Sequence, residues 1–232
     1  MVEVEDAHTY YGESHVLEGV SLSVREGENV ALIGRNGVGK TTTLRTILQL
    51  TPPRRGTVRV KGADVTGMAT HEVARRGVGW IPEDRRMFAE LTVEENLTVS
   101  VRESERTAAE LERAFETFPA LREHRSRKAG NLSGGQQQML AIARGLVGDN
   151  DVLLVDEPSE GLAPLIVETV ADVLRDISQN DDVSLLLVEQ NFPLAVDLAD
   201  RFYLIDHGQV VESGPTEGLT SDDERIARYL GA

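Results

Sequence analysis

The eight residues 34–41, GRNGVGKT, most constrain what this chain can fold into, because they join an apolar, strand-like run to a helix-like segment. A glycine, four further residues and then Gly-Lys-Thr is typical of a loop that binds phosphate. Its glycines let successive N–H groups converge on phosphate oxygens, and the positive end of the following helix adds to the attraction. The candidate loop residues are Gly34, Arg35, Asn36, Gly37, Val38, Gly39, Lys40 and Thr41.

Two side chains of this loop are predicted to have separate tasks. Lys40 would reach the β- and γ-phosphates of a nucleotide, and Thr41 would offer its hydroxyl to Mg²⁺. A glycine-rich turn without a ligand is the alternative interpretation. The strand before the loop and the helix after it favour the phosphate site.

A pair of acidic residues, Asp156 and Glu157, ends the apolar run 152–155. Ligands of α/β sheets gather at the carboxyl ends of the strands, so these acids are expected to face the phosphate loop. Neighbouring side chains of a strand point in different directions, which predicts two roles. Asp156 would hold the Mg²⁺ shell, and Glu157 would polarise the attacking water. A simple helix cap is the alternative.

A third motif, LSGGQ at residues 132–136, precedes a helix-like run that begins near Met139. Ser-Gly-Gly at the start of a helix can form another amide cradle for an anion. By itself the motif indicates only the start of a helix. Its position about twenty residues before the Asp-Glu pair makes it informative.

Composition excludes several classes of function. The 232 residues carry 39 Asp and Glu against 24 Lys and Arg, a formal charge of -15, so broad binding to nucleic acid or anionic lipid is not expected. The absence of cysteine excludes disulfides and thiol nucleophiles. No apolar run approaches the roughly 18 residues of a spanning helix, and the acidic N-terminus does not resemble a signal peptide, so no direct membrane insertion is expected.

The pattern along the chain predicts an α/β fold. Strand-like runs occupy residues 20–24, 29–33, 57–60, 78–81, 152–155, 183–188 and 202–205. Residues 26–28 are expected to turn a hairpin between the first two runs, and a helix is expected from Lys40 to about Leu50, before Pro52. Residues 92–148 have helical character. The sequence therefore predicts a mainly parallel sheet with a helical insertion.

The order of the three motifs resembles that of the ATP-binding subunits of ABC transporters, from about residue 2 to 213. The resemblance implies a P-loop NTPase core with a mainly parallel sheet, an antiparallel β part at the N-terminus and a helical subdomain inserted before the Ser-Gly-Gly motif. It implies one domain, 1–232, in which 1–82 and 149–232 form the core and about 83–148 the helical subdomain.

The resemblance also implies a site shared between two subunits, with ATP and Mg²⁺ bound between them. Each ATP would lie between the phosphate loop of one subunit and the signature motif of the other, so the residues acting in trans would be Ser133, Gly134, Gly135 and Gln136. Tyr11 would stack on adenine, with Tyr10 as its competitor, and Val16 and Thr42 would complete the nucleotide site.

Three departures from the general family pattern narrow the resemblance. Glu83 stands where most members have a Gln that contacts Mg²⁺ and the membrane partner, and Gln190 stands where most have a His after the next-to-last core strand. Ala163 replaces an Asp that communicates across the dimer. Together these resemble the second ATPase subunit of importers for branched-chain amino acids and for urea or short-chain amides. Since a Gln amide accepts no proton near neutral pH, Gln190 could only orient groups.

The resemblance implies several partners and a location. Integral permease subunits and either a sister ATPase or a second copy of the chain would be direct partners, and a substrate-binding protein an indirect one, with no nucleic acid. The chain would be cytoplasmic and peripheral at the inner face of the cell membrane through the permease. An ABC exporter ATPase, a non-transport ABC ATPase and a phosphate-loop kinase or GTPase remain alternatives.

Overall fold

An antiparallel sheet of four strands, in the order β2-β1-β4-β5, forms the N-terminal part of the protein. The computed structural model describes residues 1–101, 107–148, 150–180, 183–220 and 222–230. The strands of this sheet are β1 (Val2–Tyr11), β2 (Ser14–Val24), β4 (Arg55–Val60) and β5 (Ala63–Asp64). Alternating burial along β1 and β2 is typical of a sheet with one face on the core.

The second sheet has six strands in the order β10-β9-β3-β8-β7-β6. Its strands are β3 (Asn29–Ile33), β6 (Val78–Ile81), β7 (Val152–Asp156), β8 (Ser184–Glu189), β9 (Arg201–Asp206) and β10 (Gln209–Pro215). All neighbouring pairs are parallel except β9 and β10. The fully buried strands β7 and β8 lie in the middle, as expected for a sheet covered on both faces.

The predicted hairpin at residues 26–28 is wrong, because β2 and β3 belong to different sheets. The hairpin partner of β2 is β1, which turns at Gly12 and Glu13. Residues 25–28 instead connect the sheets, and Arg201 holds the connection by donating to the Glu28 carboxylate and to the Ser23 carbonyl oxygen. A local turn pattern cannot distinguish a hairpin from a passage between two sheets.

Nine helices accompany the sheets within the described ranges. They are α1 (Lys40–Ile47), α2 (Thr70–Ala74), α3 (Val93–Thr98), α4 (Thr107–Thr117), α5 (Pro119–Arg122), α6 (Gly134–Leu146), α7 (Pro164–Asn180), α8 (Phe192–Leu198) and α9 (Glu224–Leu230). Helix α1 ends earlier than predicted, since Gln49 adopts a positive φ of 58° that stops the helix before Pro52.

The helical insert is built from short helices rather than one continuous pattern. Helices α3, α4 and α5, a 3₁₀ turn at Ala129–Asn131 and the long helix α6 pack around a common apolar cluster. That cluster also contains β7 and β8 residues such as Leu153 and Leu185. The insert is therefore joined to the six-stranded sheet by continuous packing. Helix α6 contacts α3 and α5 of the insert and also β6 of the sheet. The described helices include none long and apolar enough to cross a membrane.

Candidate nucleotide site

The phosphate loop joins β3 to α1, and its glycines are required by close packing. A Cβ atom on Gly34 would lie 2.5 Å from the Ile205 carbonyl oxygen. Gly39 has a φ of 116°, and a Cβ there would lie 2.8 Å from Leu17. Any other residue at these two positions would push the loop off β9 or β2. The loop is thus clamped between the two sheets, directly before the N-terminus of α1.

Lys40, at the start of α1, is almost completely buried and points back into the loop. Its ammonium group donates to the carbonyl oxygens of Gly34 at 2.8 Å and Arg35 at 2.9 Å, and more weakly to the Asn36 side chain at 3.4 Å. It also forms an ion pair with Glu157, 2.9 Å from Oε1. Both partners of this pair are buried, so the lysine is held in place before any phosphate arrives.

Thr41 and Asp156 connect the loop to the end of β7. The Thr41 hydroxyl donates to Asp156 Oδ1 at 3.0 Å. Burial, with additional repulsion from Glu83 and Glu157, raises the pKa of Asp156 to about 6, although the Thr41 bond and Lys40 oppose the rise. A buried carboxylate and a hydroxyl that meet beside a phosphate loop are hard oxygen donors, and they fit Mg²⁺, which takes its remaining ligands from phosphates and water.

The backbone turns away from the extended conformation at Glu157, immediately after β7. Its φ of 44° is left-handed, and its backbone N–H donates to the Val188 carbonyl oxygen of β8 at 2.9 Å. A non-glycine residue in this conformation is strained and is typical of functional sites. The turn separates the two acids, so that Asp156 meets Thr41 while Glu157 meets Lys40.

A pocket of about 340 Å³ opens above the loop. Its lining includes most of the predicted nucleotide and metal residues and one that the sequence analysis missed, Glu160: Val16, Asn36, Gly37, Gly39, Lys40, Thr41, Thr42, Glu83, Glu157 and Glu160. A hydrogen bond with Glu157, together with burial, raises the pKa of Glu160. The pocket therefore contains three glutamates and one lysine.

Gln190 lies in an adjoining hollow that also contains Asn36 and Glu157. The neighbouring Glu189 is buried, and its carboxylate accepts from the backbone N–H groups of Ser159 at 3.1 Å and Asn191 at 3.0 Å. Burial raises the pKa of Glu189. This carboxylate ties the loop after β7 to the end of β8. Sequence reasoning missed Glu189, because its role depends on Ser159 in the other loop.

Tyr11 and Tyr10 are distinguished by their surroundings. Tyr11 is 41% exposed, and its hydroxyl lies 3.4 Å from Arg45 and from Thr51, alongside α1. The Tyr10 ring is stacked on His15 at 4.1 Å and contacts the Arg54 guanidinium at 4.4 Å. The open ring of Tyr11 leaves it the better placed of the two to stack on a base.

The signature motif lies apart from this pocket, since no residue of 133–136 is among the lining. Ser133 caps α6: its hydroxyl accepts from Gln136 N–H at 3.3 Å, and the Gln136 side chain accepts from Ser133 N–H at 3.0 Å. Ser133 and Gly134 are exposed. The motif is therefore presented to the outside of the subunit.

Three features define a P-loop ATPase: a phosphate loop at the β3–α1 junction, an Asp-Glu pair at the end of β7, and a capped Ser-Gly-Gly helix on a helical insert. Their order along the chain is that of an ATP-binding cassette. Residues 17–160 match the ABC transporter family. The chain belongs to that family: it is an ATP-binding subunit of ABC type and hydrolyses ATP to ADP and phosphate.

Two relatives are similar over nearly the full length of both chains. The high-affinity branched-chain amino acid transport ATP-binding protein BraG of Pseudomonas aeruginosa is 37% identical, and the alignment covers 100% of each chain. The probable branched-chain amino acid transport ATP-binding protein LivF of Archaeoglobus fulgidus is 35% identical, with 92% of each chain covered.

Solved structures of ATP-binding cassettes share the fold. The cassette MJ0796, in a dimeric post-hydrolysis state bound to ADP and Pi, superimposes with a TM-score of 0.83 at 26% identity, covering 94% of this chain and 100% of the other. The ADP conformation of the cassette MJ1267 gives the same TM-score and identity, covering 100% and 99%. The predicted fold class is confirmed: an antiparallel N-terminal sheet, a mostly parallel sheet and a helical insert.

Proposed function

We propose that the chain energises the import of branched-chain amino acids through a membrane permease. The observation that carries this proposal is the 37% identity to BraG over the whole of both chains. Glu83 in the nucleotide pocket and Gln190 in the adjoining hollow support it, because these substitutions make the chain resemble that branch. ATP binding would close a pair of subunits, and hydrolysis would reopen it.

The residues of the site would divide the chemistry among them. On ATP binding Lys40 would exchange its contact with Glu157 for phosphate oxygens, and Glu157 would then be free to polarise a water for in-line attack. Asn36 and Gln190 border the same hollow as Glu157, so both could orient that water or the γ-phosphate. Gln190 would act by hydrogen bonding alone.

The donor set proposed for Mg²⁺ consists of Thr41, Asp156 and Glu83. The raised pKa of Asp156 reflects buried negative charge that a divalent cation would neutralise. When bound, the cation would neutralise charge on the β- and γ-phosphates. Thr41 and Asp156 are already in contact, so they would need little rearrangement to receive it.

The partners proposed are a permease pair, a sister ATPase and, indirectly, a substrate-binding protein. The exposed Ser133 and Gly134 would complete the phosphate site of the sister subunit, and its own motif would complete this one. We place the chain at the cytoplasmic face of the membrane through the permease, and we propose residues 83–148 as the part that transmits the stroke.

The test is a pull-down of tagged Glu157→Gln protein from detergent-solubilised native membranes with ATP and Mg²⁺. The expected companions are a hydrophobic permease pair and a second ATPase. Lys40→Ala is the control for the effect of bound nucleotide, because it should bind little ATP. Loss of leucine, isoleucine and valine uptake, but not of urea uptake, in cells with Lys40→Ala as the only copy would assign the solute. Exclusively soluble companions would contradict the proposal.

A further inference from the structure

The last residues of β1 pack along α1 through a row of polar side chains. Thr9 and Tyr11, two residues apart, both contact this helix, as alternate side chains of a strand can. The hydroxyls of Thr9 and Thr46 are hydrogen-bonded at 2.9 Å, and both residues are fully buried. Tyr11 continues the row to the surface, where it meets Arg45. We name the contact of Thr9 and Tyr11 with Arg45 and Thr46 the strand–helix seam.

The Tyr11 hydroxyl accepts from two donors at the outer end of the seam. Arg45 Nη1 donates to it at 3.4 Å, and the Thr51 hydroxyl donates to it at 3.4 Å. Although burial acts to raise it, the pKa of Tyr11 is lowered by hydrogen bonds with Thr51, Arg45 and Thr42. These contacts hold the ring by its hydroxyl, while 41% of the residue stays exposed.

The end of α1 brings the two donors to the same side of the helix. The Arg45 carbonyl oxygen accepts from the backbone N–H groups of Leu50 at 2.9 Å and Thr51 at 3.2 Å. The chain folds back in this way at Gln49, which is buried and has a φ of 58°. Arg45 therefore contacts Tyr11 with its side chain and places Thr51 with its backbone.

The guanidinium of Arg45 is directed at a tyrosine rather than at an acid. Within the described ranges no carboxylate forms an ion pair with Arg45, although the chain has 39 acidic and 24 basic residues. A guanidinium stays charged and donates in fixed directions, so it can hold a phenol oxygen in one place. Arg45 lies little more than one turn beyond Lys40, where the phosphate loop meets α1. One helix thus carries both the phosphate-binding groups and the group that holds Tyr11.

We propose that Arg45 is a positioning residue for the base of ATP, an inference that rests on the stacking role expected for Tyr11. By holding the Tyr11 hydroxyl, Arg45 fixes the stacking ring at a set distance from the phosphate loop on the same helix. The base and the phosphates belong to one molecule, so both contacts form together only if their sites are correctly spaced. A ring already held in place loses less conformational freedom when the nucleotide binds.

Inorganic tripolyphosphate, which has no base, separates the two parts of the nucleotide site. Arg45→Gln and Tyr11→Phe should each raise the KM for ATP about three- to tenfold, the size expected for one lost hydrogen bond. The constant for competitive inhibition by tripolyphosphate with Mg²⁺ should stay the same. Equal weakening of ATP and tripolyphosphate would mean that Arg45 acts by its charge on the phosphates or through the fold, and would overturn the inference.

A double-mutant cycle tests whether Arg45 acts through Tyr11. In the Tyr11→Phe background, Arg45→Gln should weaken ATP binding little further, because its partner hydroxyl is already absent. Additive losses would overturn the inference. The matched control is Arg122→Gln, since Arg122 is also a partly exposed arginine beside an aromatic ring, that of Phe115, but belongs to the helical insert. It should bind both ligands normally.

Thr51→Val removes the second donor and should show the same pattern to a smaller extent, so the test does not depend on one variant. Melting temperatures of the Arg45 and Thr51 variants should stay close to that of the unsubstituted protein. Tyr11→Ala should weaken ATP binding more than Arg45→Gln does. Unchanged ATP binding by Tyr11→Ala would remove the stacking role of Tyr11 and the inference with it. Weaker binding by Tyr11→Ala but not by Arg45→Gln would overturn the inference alone, and both results leave the proposed import function intact.

Discussion

The buried Lys40–Glu157 ion pair places the proposed phosphate-binding cation and the candidate base in direct contact, 2.9 Å apart. We therefore expect ATP to compete with Glu157 for the lysine. We predict that Glu157→Gln lowers turnover by at least about 100-fold, the range that a general base contributes. The same variant should bind ATP at least as tightly as the unsubstituted protein, because an amide holds the lysine less strongly than a carboxylate.

Steady-state phosphate release and titration with a fluorescent ATP analogue would measure these two effects. Glu168→Gln is the control, since Glu168 is an exposed carboxylate of α7. Weaker ATP binding by Glu157→Gln would show that the ion pair does not oppose nucleotide entry, and unchanged turnover would remove Glu157 from the mechanism.

Asp156 connects the proposed Mg²⁺ site to pH. Its pKa is raised from 3.8 to about 6 in the folded protein, so between these values the folded state binds more protons than the unfolded state. Its contribution to stability is therefore fully present below pH 3.8 and is lost as the pH rises through about 6. The two pKa units correspond to about 3 kcal/mol as an upper bound.

We predict that nucleotide-free Asp156→Asn protein is more stable than the unsubstituted protein at pH 8 and equally stable near pH 4. An asparagine oxygen can still accept the Thr41 bond, whereas the buried charge is gone. Thermal unfolding between pH 4 and 8 checks this, with the exposed Asp222→Asn as control. A difference that is independent of pH would contradict it. The same variant should lose the Mg²⁺ dependence of ATP binding.

At the scale of elements, α6 and α3 begin with the same device. Ser133 and Gln136 form a capping box on α6, and Thr92 and Glu95 form one on α3. Removing either hydroxyl should cost about 1 kcal/mol of stability. Only the α6 cap belongs to the motif proposed to bind ATP across the subunit interface.

We therefore predict that Ser133→Ala and Thr92→Ala lower the melting temperature by similar amounts, whereas only Ser133→Ala weakens dimers that ATP induces in the Glu157→Gln background. Thermal unfolding and analytical ultracentrifugation on both variants would check this. Equal weakening of the dimer by both substitutions would mean that the signature motif acts only through helix stability.

Features encoded by adjacent residues could be predicted from the sequence. The loop from Gly34 to Thr41 and the pair Asp156 and Glu157 can be found from the sequence, because each is a short motif at the end of a strand. The clamp made by Glu189 could not be predicted, because its partner Ser159 lies 30 residues away. The hairpin predicted at residues 26–28 is wrong for a similar reason, since pairing depends on which sheet each strand joins.

A cavity of about 440 Å³ beside β6 and α6 illustrates the same limit across three elements. Its residues Trp80, Arg86 and Arg144 come from β6, the following loop and α6, and no periodicity relates them. The sequence predicts a helical subdomain at about residues 83–148, but the apolar cluster around α6 continues into the six-stranded sheet. Chemistry assembled from distant segments becomes visible only when the fold brings those segments together.

For the whole molecule, the net charge of -15 sets the conditions under which two copies can associate. A symmetric dimer brings together two subunits that each carry this net negative charge, and their repulsion extends over about 10 Å at 0.1 M salt but about 3 Å at 1 M. We predict that ATP-induced self-association of Glu157→Gln protein tightens several-fold as KCl rises from 0.1 to 1 M. Sedimentation equilibrium at fixed ATP concentration would measure this tightening.

The control is Lys40→Ala, which should stay monomeric at every salt concentration and therefore separates nucleotide-driven dimers from salting-out. Association that weakens with salt would instead mean that attractive ion pairs dominate the interface.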